Sequence, residues 1–209
     1  MTHDIATSAD IIDLLAGIAP GSALDGVRDQ RPQARRNAQL SFEALLEPAD
    51  PGTFPLAERY AIAAFVAQLH GFDRAVAFYA DLLGDEAPEL VEPIAAAAAD
   101  GAARGPYGSY REVGLAGESA PGAVWRPADG AFPARLAAAL AHTHLLVFRP
   151  RESSAAAIRA LVDAGWGAVD IVRLSQLVAF LSFQLRLAWG LRVLAENPAP
   201  VALTEGAAR

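Results

Sequence analysis

No cysteine occurs anywhere in the 209 residues. Disulfides, zinc–thiolate sites, iron–sulfur clusters and thiol nucleophiles are therefore excluded. Basic charge is scarce as well, with 17 basic residues against 24 acidic ones and a formal net charge of -7. That balance repels phosphate backbones and anionic lipid, so no nucleic-acid or membrane-surface partner is expected. The opening MTHDIATSADIIDLLAGIAP lacks a basic region ahead of an apolar run, and does not resemble a signal peptide. Long uninterrupted apolar runs are missing too. The best candidate, Val169–Leu194, is broken by Asp170, Arg173, Gln176, Gln184, Arg186 and Arg192, and reads as a soluble core helix. A cytoplasmic protein is the expectation. What remains is a chain 53% hydrophobic and 8% aromatic, a composition that folds and is long enough for one real core.

Helical spacing dominates, and no stretch alternates β-branched residues with period two. The fold class read from this pattern is all-α. Ser8–Ala16 is predicted as a short helix capped by Ser8 and stopped by Gly17; Pro32–Leu46 follows. After the Pro/Gly-rich loop EPADPGTFP, Thr53 is expected to cap Leu56–Leu69, which Gly71 ends. Asp73 is expected to cap Asp73–Leu83, with Gly84 as its stop, and Ala87–Ala99 is an acidic-start, alanine-rich helix. Beyond the centre, Phe132–Leu146, then Ala155–Ala164 capped by Ser153 or Ser154, then a long helix from about Gly167 to Ala195 complete the pattern.

Gly101–Pro127 has a different texture, rich in Gly and Pro and carrying Tyr107, Tyr110 and Trp125. Aromatics at this density pack, so an ordered loop is expected rather than a linker. It separates two halves of a single domain, about 1–100 and 128–209, that repeat one another faintly. The last helix is apolar on two sides, with Ile171, Leu174, Val178, Leu181, Leu185 and Ala188 on one and Leu177, Phe180, Leu187 and Leu191 on another. More than one neighbour is needed to cover it, which points to a homo-oligomer. Gln176, Gln184 and Arg186 are the polar groups among these, facing either an interface or a pocket.

Between two helices lies HGFDRAVAFY, with a helix break at Gly71 followed by a fresh start. The longer stretch LAERYAIAAFVAQLHGFDRAVAFYADLL resembles the core of the carboxymuconolactone decarboxylase and alkylhydroperoxidase (AhpD-like) family. GPYGSYREVGLAGE, HTHLLVFRPRESS and the long final helix are similar to its peroxidase-related branch. The resemblance covers roughly Pro32 to Leu194 and implies an AhpD-like helical bundle of two pseudo-repeated halves. In that family a Glu-bearing helix leads into a C-x-x-C motif, with a His one turn beyond. Carried across, the thiol positions fall on Phe72 and Ala75, the His on Tyr79, and the Glu on Tyr60, with Glu58 nearby. A peroxidatic mechanism needs an attacking thiolate and a resolving thiol, and neither is present. The resemblance then implies binding or acid–base transformation of a small organic molecule by Glu58, Tyr60, His70, Arg74 and Tyr79, without a cofactor. The alternative is a non-catalytic partner of a thiol-bearing relative. Arg74 suits a carboxylate and His70 titrates near neutrality. For each, a structural role (cap, dipole partner, ion pair or packing) competes with the chemical one. His142-Thr143-His144 has the spacing of a metal pair only on a strand; on a helix its rings diverge, so no metal site is expected.

Overall fold

The computed structural model describes residues 10–197. Among them the secondary structure is helical throughout, in the order α1 (Ile11–Ala16), α2 (Ala23–Asp29), α3 (Pro32–Leu46), α4 (Leu56–His70), α5 (Asp73–Glu86), α6 (Val91–Asp100), α7 (Ala134–Phe148), α8 (Ala155–Asp163) and α9 (Ala168–Glu196). Three short 3₁₀ turns, Pro88–Leu90, Val113–Glu118 and Pro150–Glu152, punctuate the connections. The fold is all-α with a long C-terminal helix.

The centre belongs to α4. Every residue from Arg59 to Ala67 is buried, so the helix has no solvent face, and α5, α6, α7 and α9 pack around it. Such a sequence, AERYAIAAFVAQ, can only be stable inside a shell of other helices. One continuous core results, with Ile62, Phe65 and Tyr79 from one side of the central loop and Leu140, Leu174 and Leu181 from the other. α9 crosses the bundle against α1, α3, α4 and α7. Among the described residues it is the helix long and apolar enough to cross a membrane by length and composition. Its Ile171, Leu174, Val178, Leu181 and Leu185 are spent on this core instead.

Several helix ends differ from expectation, each for a physical reason. Ser8 lies outside the described residues, and α1 is capped by Asp10, whose carboxylate accepts from the Ile12 and Asp13 amides. Thr53 does not cap α4. Its hydroxyl goes to Asp170 at the start of α9, while Pro55 takes the cap position. Asp73 makes no capping bond either. It is the first residue of α5, behind a buried Phe72 whose ring meets Trp189 edge-on at 5.6 Å. Gly84 fails to stop α5, which runs on to Glu86 and ends where Pro88 forces Ala87 out of helical geometry. The next helix then starts at Val91 rather than Ala87. Gly71, by contrast, ends α4 as expected, with φ of 65° and its amide on the Ala67 and Gln68 carbonyls. Ser154 caps α8 through the Ala157 amide.

α2 was not legible in the pattern at all, because charge rather than apolar spacing holds it. Buried Arg28 reaches Asp10 and Asp13, and Arg35 on α3 reaches Asp13, Asp25 and Asp29. The guanidinium of Arg35 is held above its ordinary range by Asp25, then by the other carboxylates. Six side chains thus clamp α1, α2 and α3 together. All 17 basic residues of this chain are arginines, the side chain best shaped to serve several oxygens at once.

The central loop is ordered, as its aromatics implied. Gly108 and Ala120 exchange backbone hydrogen bonds across it, and Trp125 stacks on Phe65 at 5.2 Å while its indole N–H donates to Asp100 at 2.8 Å.

Candidate functional site

The five residues singled out from the sequence do not converge. Tyr79 lies fully buried on α5 and its hydroxyl donates to the Gln184 side-chain carbonyl on α9. Burial pushes the phenol far above its ordinary pKa, so it stays protonated and serves as neither base nor nucleophile. Tyr60 is buried on α4, and desolvation raises its phenol as well. Phe72 and Ala75 fill core positions beside them. Ala75 and Tyr79 are sealed in this core, while Phe72 also borders an open groove beside Trp189.

Glu58 belongs to a different assembly. Arg135 on α7 donates from Nε to both its carboxylate oxygens, at 3.0 and 3.2 Å. The same guanidinium donates to the carbonyls of Gly165 (3.0 Å) and Thr53 (2.8 Å) and lies 3.9 Å over the Trp166 ring. Burial raises the Glu58 pKa, and the Arg135 hydrogen bond works against that rise. Next to it, buried Arg59 donates to the carbonyls of Phe54, Leu45 and Pro51. Every donor at this junction is directed at a backbone or side-chain oxygen, so the junction fastens the starts of α4, α7 and α9 rather than awaiting a ligand.

His70 ends α4, where its Nδ1–H donates to the Val66 carbonyl at 2.9 Å. Its Nε2 has no protein partner, and burial lowers its pKa. Arg74 is exposed. Its guanidinium donates to the Leu14 carbonyl at 3.1 Å and closes the C-terminus of α1, pressed so near Gly17 that a Cβ there would fall 2.5 Å from Nη1. Arg74 also lines a groove of about 370 Å³ with Phe72, Trp189, Arg192 and Glu196, but His70 and Tyr79 do not.

The larger cleft, about 460 Å³, lies elsewhere, between α7, α8 and residues 124–129 of the central loop. Its walls are small: Ala137, Ala138 and Ala141 on α7 face Ala156, Ala157 and Ala160 on α8. Trp125 and Pro127 border it from the loop, and Arg149, Glu152 and Ser154 stand at one end. Methyl groups thus form much of two walls, and Arg126, Asp129 and His142 add polar groups to the lining.

Two side chains of this wall hold polar atoms without a partner. Arg149 is buried, paired to Glu152 through Nη1, and its Nε–H meets no acceptor. Its stem is locked from above, since a Cβ on Gly122 would fall 2.5 Å from Arg149 Cδ. His142 is buried with Nε2 3.3 Å from the Ser175 hydroxyl. Ser175 gives its only proton to the Ile171 carbonyl at 2.9 Å, so it accepts from His142 Nε2–H, and Nδ1 keeps a free lone pair. Burial lowers the His142 pKa and keeps the ring neutral near pH 7.

The second histidine of the HTH motif faces the other way. His144 donates from Nε2 to the Gly101 carbonyl at 2.9 Å, its ring 5.2 Å from that of Trp125 and 4.9 Å from that of Phe148. The two imidazoles do not share a ligand position. Among the described residues no cluster of His, Asp or Glu is arranged to hold a metal ion.

Sequence reasoning missed the cleft because its signal is the smallness of residues on two separate helices. Ala137-Ala138 and Ala156-Ala157 read as helix-formers, and nothing in either segment says that the two faces meet. No protein-family model matches this chain, and no curated protein or solved structure compared with it matches either.

Proposed function

We propose that this chain is a thiol-free, cytoplasmic member of the AhpD-like architecture that binds a small, flat organic molecule in the alanine-walled cleft. The observation that carries the reading is the cleft itself, about 460 Å³, where buried Arg149, paired to Glu152, and buried His142 stand among alanine walls. That volume is in the range of small-molecule sites, which combine apolar walls with a few fixed polar groups. An acceptor oxygen on the ligand, from a carboxylate or a lactone carbonyl, meets the Arg149 end, and the planar body lies between the alanine faces. The site residues assigned from the family resemblance leave the chemistry: Glu58, Tyr60, His70, Arg74 and Tyr79 hold the fold.

The test is mass spectrometry of small molecules extracted from the purified protein, followed by thermal-shift titration with aromatic acids, keto acids and lactones. A protective ligand is expected, its shift abolished by Ala157→Phe, which fills the slot, and retained in Arg74→Ala. Loss of the shift in Arg74→Ala, with retention in Ala157→Phe, moves the site to the α5–α9 groove. A second reading, a non-catalytic partner of a thiol-bearing relative, is supported by the packed core around Phe72, Ala75 and Tyr79. Absence of any protective small molecule favours that one.

A further inference from the structure

The polar end of the alanine-walled cleft is balanced in charge before anything enters it. Pro150 forces Arg149 out of helical geometry and turns the chain, so that the Glu152 amide donates to the Arg149 carbonyl at 2.9 Å. The Glu152 carboxylate then takes Nη1 of the Arg149 guanidinium, and a counter-charge is built in by a turn of three residues. On the other edge of the same guanidinium, Nε–H is enclosed without an acceptor. Nη2, which is not enclosed, makes no hydrogen bond among the described residues either. That edge holds donors only. The two further charges of the lining, Arg126 and Asp129, are exposed and opposite in sign. His142 is a neutral ring whose Nε2–H goes to Ser175. The lining thus carries no net charge, in a chain whose own formal charge is -7.

We infer that the occupant of this cleft is an uncharged carbonyl compound, such as an aryl ketone, and not a carboxylate, with its oxygen accepting from the free Nη2 and Nε edge of Arg149. The inference rests on the cleft being the binding site, and it names the class of molecule that fits there. A carboxylate would gain the attraction of Arg149 but meet the repulsion of Glu152 across the same guanidinium, and the two oppose each other. It would also give up its hydration to walls of alanine methyls, and a desolvated anion without a net counter-charge is costly. Exposed Arg126 offers little against this, since solvent screens it and Asp129 opposes it. A cation would meet only donors on that edge. A neutral carbonyl oxygen supplies the acceptor that the buried donors lack, with no charge to desolvate. The apolar body attached to it covers the methyl walls of Ala141 and Ala157.

Three probes of one size test this: 2-acetylnaphthalene, 2-naphthoate and 2-ethylnaphthalene, titrated calorimetrically into the full chain at neutral pH. The ketone is expected to bind at least ~tenfold more tightly than either of the others. Glu152→Gln removes the counter-charge, and is expected to improve 2-naphthoate by ~tenfold while leaving the ketone within ~twofold. Naphthoate binding as tight as the ketone's, and abolished by Ala157→Phe, overturns the neutral occupant but leaves the cleft as the site. An unchanged naphthoate affinity in Glu152→Gln overturns it as well. Ketone binding no tighter than that of 2-ethylnaphthalene overturns the role of the Arg149 edge. Ketone binding that survives Ala157→Phe, or no binding by any probe, overturns the cleft as the site and this inference with it.

Discussion

The Tyr79 hydroxyl donates to the Gln184 side-chain carbonyl in the middle of the core, sealing α5 to α9. Gln184 is fully buried and its amide nitrogen has no partner, so this bond is the whole of its polar compensation within the protein. A buried amide that loses its partner costs ~1–3 kcal/mol. Tyr79→Phe is expected to destabilise by that amount in urea unfolding, and Tyr79→Phe with Gln184→Leu to recover most of it. A double variant whose loss equals the sum of the Tyr79→Phe and Gln184→Leu losses would show that the pair carries no coupling.

The chain should reduce no organic hydroperoxide with a dithiol donor. Phe72 and Ala75 offer no sulfur and the Tyr79 phenol stays protonated, so neither the attack nor the resolving step has a residue to perform it. Turnover above the rate of a Cys-free control protein would overturn this.

Arg28 lies buried between Asp10 and Asp13, and its removal leaves two carboxylates facing each other in a partly closed site. Breaking a buried ion pair costs roughly 3–5 kcal/mol where burial is complete, and solvent access to the aspartates lowers that figure. Arg28→Met is expected to lose about 2 kcal/mol of stability and to expose α1 to proteolysis. A variant protected like the parent would place the strength of the clamp in Arg35 alone.

Acid should weaken the fold before the carboxylates titrate. Burial lowers the pKa of His70, His142 and His144 below the ordinary 6.5, so below pH 6.5 the unfolded chain binds more protons than the folded one. Stability from these three neutral rings is complete above that pH and is lost as pH falls through it. The urea midpoint is expected to drop between pH 7.5 and 5.5, with a shallower drop in His144→Leu. Glu47 and Glu58 act in the opposite sense, since burial raises their pKa and makes the folded state bind the extra proton, and these two groups oppose three. A midpoint that is flat across this window would mean that the rings are solvated.

The helices were legible because their signals are local. Gly71 with positive φ, Ser154 as a cap and the 3-4 stripe of Ile171, Leu174, Val178 and Leu181 are each decided within a turn or two. The misplaced ends were decided at long range. Thr53 was drawn off by Asp170, α2 is held by charges on α1 and α3, and Asp73 was displaced by the docking of Phe72 on Trp189. The candidate site was illegible for the same reason. Arg74, Tyr79, His70 and Glu58 are neighbours in sequence, but they leave α4 and α5 in different directions. The cleft is made by alanines of α7 and α8, which carry no chemistry to notice.

The three tryptophans divide the molecule between them. Trp125 borders the cleft and stacks on Phe65, Trp166 lies under Arg135 at the polar junction, and Trp189 stands half-exposed over Phe72 near the outer face of α9. Intrinsic fluorescence therefore separates changes at the cleft, at the polar junction and along the outer side of α9 into three emitters. Single-tryptophan variants would read each event by its own colour and quenching, with no dye attached.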